Sequence, residues 1–162
     1  MALGPQRGYP LYTIARGPND PDLDELLARY RTNCGLKAFE RRSGSASILK
    51  LARLLKSGNF MAIAGDLHVS EGIDLPFFGR NCKTSTGAAS LALLADVQLV
   101  PLLLFRKAPF SHKAVIGAPI KIPPEGTRKE RLETVTREIN KCIENAIRLK
   151  PSQWFWLHRR WK

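Results

Sequence analysis

Histidine, carboxylate and arginine side chains are the groups in this sequence that could move a proton or bind an anion. Its three histidines are His68, His112 and His158, so an imidazole base within these residues must be one of them. None of the three is followed five positions later by Asp or Glu. His68 could form a base with Glu71 or Asp74 as its orienting acid, or it could be a solvated loop histidine. The sequence shows no catalytic-triad, metal-ligand or phosphate-loop spacing.

Asp66 stands near the end of the apolar run "FMAIAGDL", residues 60–67, which is typical of a buried strand. An unpaired carboxylate at such a place would cost on the order of several kcal/mol, so we expect Asp66 to have a partner. Arg31 and Arg16, predicted near the ends of a helix and a strand, are the candidates. The pair could be an internal salt bridge or part of a functional site.

A cationic segment precedes one predicted helix. In "PFFGRNCKTSTGAASLALL", residues 76–94, Arg80, Lys83 and a cluster that begins at Thr84 lie just before the helical pattern. The N–H groups and dipole of a helix N-terminus favour a phosphate, although Ser and Thr are also ordinary helix caps. Both interpretations stay open.

The final segment, "PSQWFWLHRRWK" at residues 151–162, combines aromatic and cationic side chains without an acid. It is suited to core packing, to a membrane interface or to stacking on nucleic acid. The spacing of the tryptophans favours partial burial, which would leave His158, Arg159 and Arg160 to meet an anion.

Apolar periodicity predicts the elements that would position these groups. The strands are expected at residues 9–16, 35–42, 60–67, 98–106 and 113–122, and residues 68–86 are expected to be a long connection with a strand-like centre. The helices are expected from Asp20, as N-cap, to Gly35; from Ser45 or Ser47 to Gly58; from Thr86 to Ala95; and from a capping box of Thr127 and Glu130 to Pro151. This alternation predicts an α/β fold with a mixed, largely parallel sheet flanked by helices, in a single domain over residues 1–162.

Positive charge is concentrated in the second half of the chain. Residues 1–80 carry 11 Lys and Arg against 8 Asp and Glu, whereas residues 81–162 carry 15 against 6. This favours nucleic acid, anionic lipid or an acidic protein as a partner. The apolar run at residues 88–105 contains Asp96, Gln98 and Pro101, so it predicts a buried helix and strand rather than a membrane span. Three widely spaced cysteines favour neither a disulfide framework nor a zinc site.

Three segments, taken in order, resemble the late acyltransferases of bacterial lipid A biosynthesis, the lauroyl and myristoyl transferase family. They are "LPFFGR", "TSTGAASLALLADVQLVPLLLFR" and "NKCIENAIRLKPSQWFWLHRRWK". The resemblance begins near Tyr9 and includes "ARGPNDPDLDELLARYRTNCG". The ending Gln-Trp-x-Trp-x-His-Arg-Arg-Trp-Lys is its most specific part.

The resemblance implies a glycerolipid acyltransferase-like fold that is incomplete at the N-terminus. It also implies transfer of a fatty acyl group from acyl carrier protein to a phosphorylated glucosamine disaccharide, in lipopolysaccharide biosynthesis at the cytoplasmic face of the bacterial inner membrane. The chain would contact the anionic membrane peripherally, and no metal or organic cofactor is expected.

The resemblance also implies roles for individual residues. Arg31 matches an arginine that assists catalysis, and Asp66 matches the acid of an Asp-Gln pair, although Leu67 replaces the glutamine. Phe77, Phe78 and Gly79 match the family's aromatic turn. The residues expected to bind the substrate are Arg16, Arg80, Thr84, Arg106, His158, Arg159 and Arg160.

The family's membrane anchor and its Gly-His-x-Gly-Asn-Trp-Glu-like segment, which holds the general base, are not in these 162 residues. The resemblance therefore implies an N-terminally truncated member that is inactive by itself. Two alternatives stay open: a basic nucleic-acid-binding module, and a non-catalytic remnant that binds membrane or carrier protein.

Overall fold

A computed structural model of the chain describes residues 7–15, 18–40 and 45–161. Helices and strands alternate along these ranges, which confirms the predicted mixed α/β class. The chain divides into two compact units, Met1–Ile63 and Ala64–Lys162. The single-domain organisation stays a prediction.

The first unit contains a small parallel sheet. Its elements are β1 (Leu11–Ala15), α1 (Pro21–Asn33), β2 (Lys37–Glu40), α2 (Ser45–Lys56) and β3 (Phe60–Ala62). The strand order is β2-β1-β3, with β1 parallel to both neighbours. Parallel strands need a crossover between them, and α1 and α2 provide it. The parallel part of the predicted sheet is therefore present here.

Local sequence signals define both ends of α1. The side chain of Asp20 accepts hydrogen bonds from the N–H groups of Asp22 and Leu23, as the capping pattern predicts. At the other end Gly35 has a φ of 71°, its N–H donates to the Thr32 carbonyl, and the N–H of Leu36 donates to the carbonyl of Arg31. This is a Schellman motif, in which glycine supplies the left-handed conformation. It places Arg31 in the final turn of the helix.

The run at residues 60–67 does not form the predicted buried strand. Strand β3 ends at Ala62, and the side chain of its first residue, Phe60, is exposed. Gly65 instead lies close to a helix of the second unit, where an added Cβ would be 3.4 Å from Ile139 and from Ile143. The backbone after Ala62 approaches this helix closely and does not continue the strand. Asp66 therefore lies in a connection rather than at the edge of a sheet.

The second unit contains two antiparallel hairpins and two helices along its described residues. Its elements are β4 (His68–Phe77), β5 (Arg80–Thr84), α3 (Gly87–Ala95), β6 (Leu102–Ala108), β7 (Ser111–Ile116), α4 (Arg128–Leu149) and a 3-10 turn at Pro151–Gln153. Strand β4 pairs with β5 and β6 pairs with β7. The expectation of a largely parallel sheet is therefore only partly correct.

The β4–β5 hairpin lies where a long connection was expected. Phe77 pairs with Arg80, and the two residues between them, Phe78 and Gly79, both have positive φ, at 50° and 77°. Such a turn is usually recognised by Asn-Gly or Asp-Gly. Because Phe occupies its first position here, the residue pattern did not reveal the hairpin, although the family resemblance implied an aromatic turn at Phe77, Phe78 and Gly79. The N–H of Phe78 donates to Glu144 Oε1 of α4 at 3.0 Å, which holds the turn.

Helix α4 packs against β4 and α3 and is the main support of the second unit. Its predicted capping box is confirmed: Thr127 accepts from the Glu130 N–H, and the Glu130 carboxylate accepts from the Thr127 N–H. Its buried positions include Val135 and Ile147. Of the described helices, none combines the length and the apolar content that a membrane crossing requires.

Candidate functional site around Arg160

The guanidinium of Arg160 is completely buried, although it lies two residues from the C-terminus. Its Nη1 donates to the backbone carbonyl of Lys83, and its Nη2 donates to Thr84 Oγ1 at 2.9 Å. The guanidinium carbon lies 5.0 Å from the centre of the Phe77 ring, within the range of a cation–π contact. Arg160 thus attaches the C-terminal segment to the β4–β5 hairpin.

Thr84 Oγ1 is the point where three parts of the second unit meet. Besides Arg160, the side-chain amide of Asn140 on α4 donates to this oxygen at 3.3 Å. The Thr84 hydroxyl donates its own proton to the carbonyl of Cys82 at 3.3 Å. Thr84 and Asn140 are each about 1% exposed. A buried network of this kind is stable only while its members remain paired.

Burial is the main electrostatic influence on Arg160. It lowers the pKa of the guanidinium, whereas the Coulomb interactions with Cys82 and Asp66 raise it. Along the described part of the chain no carboxylate forms an ion pair with Arg160. Arginine stays charged even when its pKa falls, so this cluster holds a positive charge inside the unit. The nearby carboxylate of Asp66 partly offsets that charge.

Asp66 accepts a hydrogen bond from Trp154 Nε1 at 3.2 Å. Of the arginine partners expected for Asp66, Arg31 belongs to the first unit and Arg16 lies outside the described residues, so both pairings stay predictions. Trp154 also packs on Phe77, with ring centres 5.8 Å apart. An indole N–H therefore fixes the half-buried carboxylate of Asp66, and the Arg160 charge acts on it from nearby.

Of the other two tryptophans, Trp161 is packed in the core and Trp156 is half exposed. Trp161 packs on Phe77, with ring centres 5.6 Å apart, and its Nε1 donates to the Phe77 carbonyl at 3.1 Å. Trp156 is half exposed, and its Nε1 donates to the carbonyl of Pro151. The terminal segment is thus partly a core element, through Trp154 and Trp161.

No histidine–acid pair forms around His68 in the described structure. Asp74 pairs with Lys83 Nζ at 2.6 Å, and Glu71 is exposed. The backbone N–H of His68 donates to His158 Nε2 at 2.7 Å, so that nitrogen of His158 carries no proton. His158 therefore holds the connection after Asp66 as a hydrogen-bond acceptor.

The predicted anion-binding residues do not share one exposed surface. Arg159 is exposed, His158 is half-buried, and Arg160 is enclosed. The expectation that all three are left to meet an anion is corrected, because the Arg160 guanidinium is used by Thr84 and the Lys83 carbonyl. Thr84 itself is also too deeply buried to contact an external phosphate.

The remaining predicted binding residues lie on the surface of the second unit. Arg80 is exposed, and its guanidinium carbon is 5.9 Å from the centre of the Trp161 ring. Arg106 is exposed on β6, and its backbone N–H and carbonyl both bond to the side-chain amide of Gln153 at 2.9 Å. Both guanidinium groups are thus accessible to an anion.

The segment before α3 is organised as a helix start. Thr86 is the N-cap but makes no capping hydrogen bond through its side chain, whereas Ser85 Oγ accepts from the Gly87 N–H at 3.3 Å. Lys83 is engaged by Asp74. Arg80 is the cation of this segment that remains accessible. Among the described residues no group of three His, Cys, Asp or Glu could hold a metal ion.

Two residues of this site escaped the sequence analysis. Asn140 follows Thr136 by four positions on the apolar side of α4, and both are buried. Polar residues spaced in this way within a hydrophobic stripe indicate a buried network. The tryptophans of the final segment were expected to be partly buried, but nothing in the sequence indicated the bond of Trp154 to Asp66.

The match to a known protein family covers nearly the whole chain. The model of the bacterial lipid A biosynthesis acyltransferase family matches residues 3–162. The chain is 29% identical over 149 residues to the lipid A biosynthesis lauroyltransferase of Escherichia coli (strain K12), covering 90% of this chain and 46% of that protein. It is 27% identical over 145 residues to the palmitoleoyltransferase of the same organism, covering 88% of this chain and 46% of that protein.

A lipid A biosynthesis acyltransferase of Shigella flexneri is also 27% identical over 145 residues, with 88% of this chain and 46% of that protein covered. The chain thus spans about half the length of these curated relatives. The family match includes every residue that forms the Arg160 cluster. This chain belongs to the bacterial lipid A biosynthesis acyltransferase family.

Proposed function

We propose that this chain is the C-terminal part of an enzyme that transfers a fatty acyl group from acyl carrier protein to a phosphorylated lipid A precursor. The observation that carries the proposal is the family match over residues 3–162. The names of the similar Escherichia coli proteins, a lauroyltransferase and a palmitoleoyltransferase, agree with acyl transfer in lipid A biosynthesis.

The reaction requires a base for the acceptor hydroxyl. The hydroxyl oxygen attacks the thioester carbonyl, its proton leaves as the bond forms, and the carrier's thiol departs when the tetrahedral intermediate collapses. The 162 residues contain no His followed five positions later by Asp or Glu. We therefore propose that the isolated chain has little or no turnover, and that the base comes from residues outside this sequence.

Arg31 and Asp66 are the residues we propose as part of the catalytic machinery. A half-buried arginine in the last turn of α1 can stabilise developing negative charge. The Asp66 carboxylate, held by Trp154, can orient a donor group of the substrate or of residues outside this sequence. The geometry supports Asp66 more directly than Arg31, since the Arg160 cluster fixes the surroundings of Asp66.

Accessible cations support a phosphorylated acceptor and a carrier protein as partners. Arg80, Arg106 and Arg159 are exposed, and the second half of the chain has a large excess of Lys and Arg. Acyl carrier proteins and anionic lipid surfaces are both negative, so these charges favour association with either. We propose that the enzyme works at the cytoplasmic face of the inner membrane, in peripheral contact with lipid.

The proposal is tested with acyl carrier protein loaded with lauroyl or myristoyl groups and an acylated, phosphorylated lipid A precursor, with products measured by mass spectrometry. The isolated chain should give little product. The same chain fused behind the N-terminal half of the Escherichia coli lauroyltransferase should give turnover, and Asp66→Asn in that fusion should reduce it.

Turnover by residues 1–162 alone at a rate comparable to the Escherichia coli enzyme would contradict the requirement for an external base. If the chain binds vesicles or carrier protein, but the folded fusion transfers no acyl group, the result would instead favour the non-catalytic binding remnant. Tight nucleic-acid binding with a steep salt dependence would favour the basic module.

A further inference from the structure

The turn between β6 and β7 presents an aromatic side chain that packs on no described residue of the second unit. Ala108 pairs with Ser111, and Pro109 and Phe110 form the two-residue turn between them. The Phe110 side chain is fully exposed. Its φ is 60°, a conformation in which turns favour Gly or Asn and which is unfavourable for a bulky residue. Neither burial nor turn geometry accounts for phenylalanine at this position.

The surroundings of Phe110 are positively charged. Residues 97–124 contain no Asp or Glu, while Arg106, Lys107 and Lys113 flank the turn. All three are exposed. We refer to residues 106–113 as the hairpin tip. An exposed aromatic side chain surrounded by cations, with no acid in 28 successive residues, is an arrangement suited to the interface of an anionic bilayer.

A second exposed apolar group follows a segment that is hydrogen-bonded to the hairpin tip. The double hydrogen bond between Gln153 and the backbone of Arg106 joins the C-terminal segment to β6. Two and four residues further on, Phe155 and Leu157 are 63% and 85% exposed. Exposed aromatic and aliphatic side chains next to cations again favour a lipid surface over water.

We infer that the hairpin tip is a membrane-docking element, with Phe110 inserted among the acyl chains and Arg106, Lys107 and Lys113 at the level of the anionic headgroups. The inference rests on the membrane contact in the proposed function and assigns that contact to one surface. A lipid surface is favoured over a protein partner because the tip exposes a bulky apolar side chain at its outermost point without a surrounding pocket or complementary acids.

The test is flotation of the full chain with vesicles of phosphatidylethanolamine and phosphatidylglycerol, compared with phosphatidylcholine vesicles. Phe110→Gly should reduce partitioning into the anionic vesicles about tenfold, since one aromatic side chain is no longer buried. Glycine adopts a positive φ without steric cost, so this variant should fold at least as well as the parent. Tyr30→Ser, which removes an exposed ring of α1, is the matched control and should change partitioning less than twofold, within roughly the scatter expected of an uninvolved site.

The charge contribution is tested with the double variant Lys107→Gln/Lys113→Gln. Each lysine near an anionic surface contributes roughly fivefold to partitioning, so the pair should reduce it about 25-fold at low salt. Lys56→Gln/Lys129→Gln removes the same net charge from exposed positions elsewhere and should have a much smaller effect.

Three results would overturn the inference. If the parent binds anionic vesicles and the tip variants bind equally well, membrane contact stands but uses another surface. If the tip variants lose binding to acyl carrier protein and keep vesicle binding, the tip recognises a protein. A parent that binds no anionic vesicle would remove the membrane contact itself. Flotation requires no turnover, so it is independent of whether the transferase proposal succeeds.

Discussion

Helices α1 and α4 are both amphipathic and both well capped, yet they are buried to very different extents. The apolar stripe of α1 consists of Leu23, Leu26, Leu27 and Tyr30. Leu27 is half-buried, and the other three are 44%, 61% and 63% exposed. Helix α1 contributes no buried residue, whereas Val135 and Asn140 of α4 are at most 1% exposed. An apolar stripe therefore predicts a helix reliably, but burial depends on the elements that pack against it.

The neighbours of α4 account for the difference. It lies against β4 and α3, and the C-terminal segment, attached through Arg160, completes the enclosure of Thr84 and Phe77. All three tryptophans belong to this second unit and all three tyrosines to the first. Tryptophan fluorescence consequently reports on the second unit alone.

The largest expected effect is the loss of the Arg160 attachment. Arg160→Ala should lower the free energy of unfolding of the second unit by about 3 kcal/mol, because it leaves a cavity and removes donors from buried acceptors. Urea unfolding followed by tryptophan fluorescence measures this. Arg159→Ala, at the exposed neighbouring position, is the control and should change the value by less than about 0.5 kcal/mol. Equal effects of the two variants would contradict a structural role for Arg160.

The two helices can be compared directly by truncating one apolar side chain in each. Val135→Ala should cost about 2 kcal/mol, since the side chain is fully buried. Leu26→Ala removes more atoms but should cost no more than about 0.5 kcal/mol, because Leu26 is already exposed. Hydrogen exchange of the two helices, measured together with urea unfolding, distinguishes the effects. A Leu26→Ala cost as large as that of Val135→Ala would show that α1 is covered in solution.

Helix caps should act alike in the two helices, in contrast to burial. Thr127→Ala removes the capping box of α4, and Asp20→Ala removes the side-chain cap of α1. Each should destabilise its helix by about 1 kcal/mol, because capping depends on local backbone groups. Amide exchange in the first turn of each helix provides the measurement. If only α4 lost exchange protection in its first turn, tertiary contacts rather than the local side-chain caps would determine the stability of these first turns.

The smallest expected effect is a pH dependence from the same capping box. Hydrogen bonds from the backbone and side chain of Thr127 lower the pKa of Glu130 from its usual 4.5. A carboxyl whose pKa is lower in the folded chain than in the unfolded chain stabilises the fold fully at a pH above its unfolded pKa. This stabilisation is lost as the pH falls below about 4.5 and through the pKa of the folded state. An NMR titration of the Glu130 carboxyl should show the shift. Thr127→Ala removes the hydroxyl bond but keeps the backbone N–H bond, so it should return the pKa only part of the way toward 4.5. An unchanged titration would exclude the Thr127 hydroxyl as a cause of the shift.

The sequence determined those features that depend on neighbouring residues. Asp20, Gly35, Thr127 and Glu130 predicted helix ends that the structure confirms, because caps are made within a few residues of the chain. The final segment was specific enough to indicate the family, which the match over residues 3–162 confirms.

Only the tertiary structure decided which groups meet. The bonds of Trp154 to Asp66 and of Arg160 to Thr84 join residues 88 and 76 positions apart, and no local pattern encodes such pairings. The same is true of the β4–β5 hairpin, whose turn carries a phenylalanine held by Glu144 of a distant helix. Burial of a charge or of an apolar stripe depends on what packs against it, and the three-dimensional fold alone supplies those neighbours.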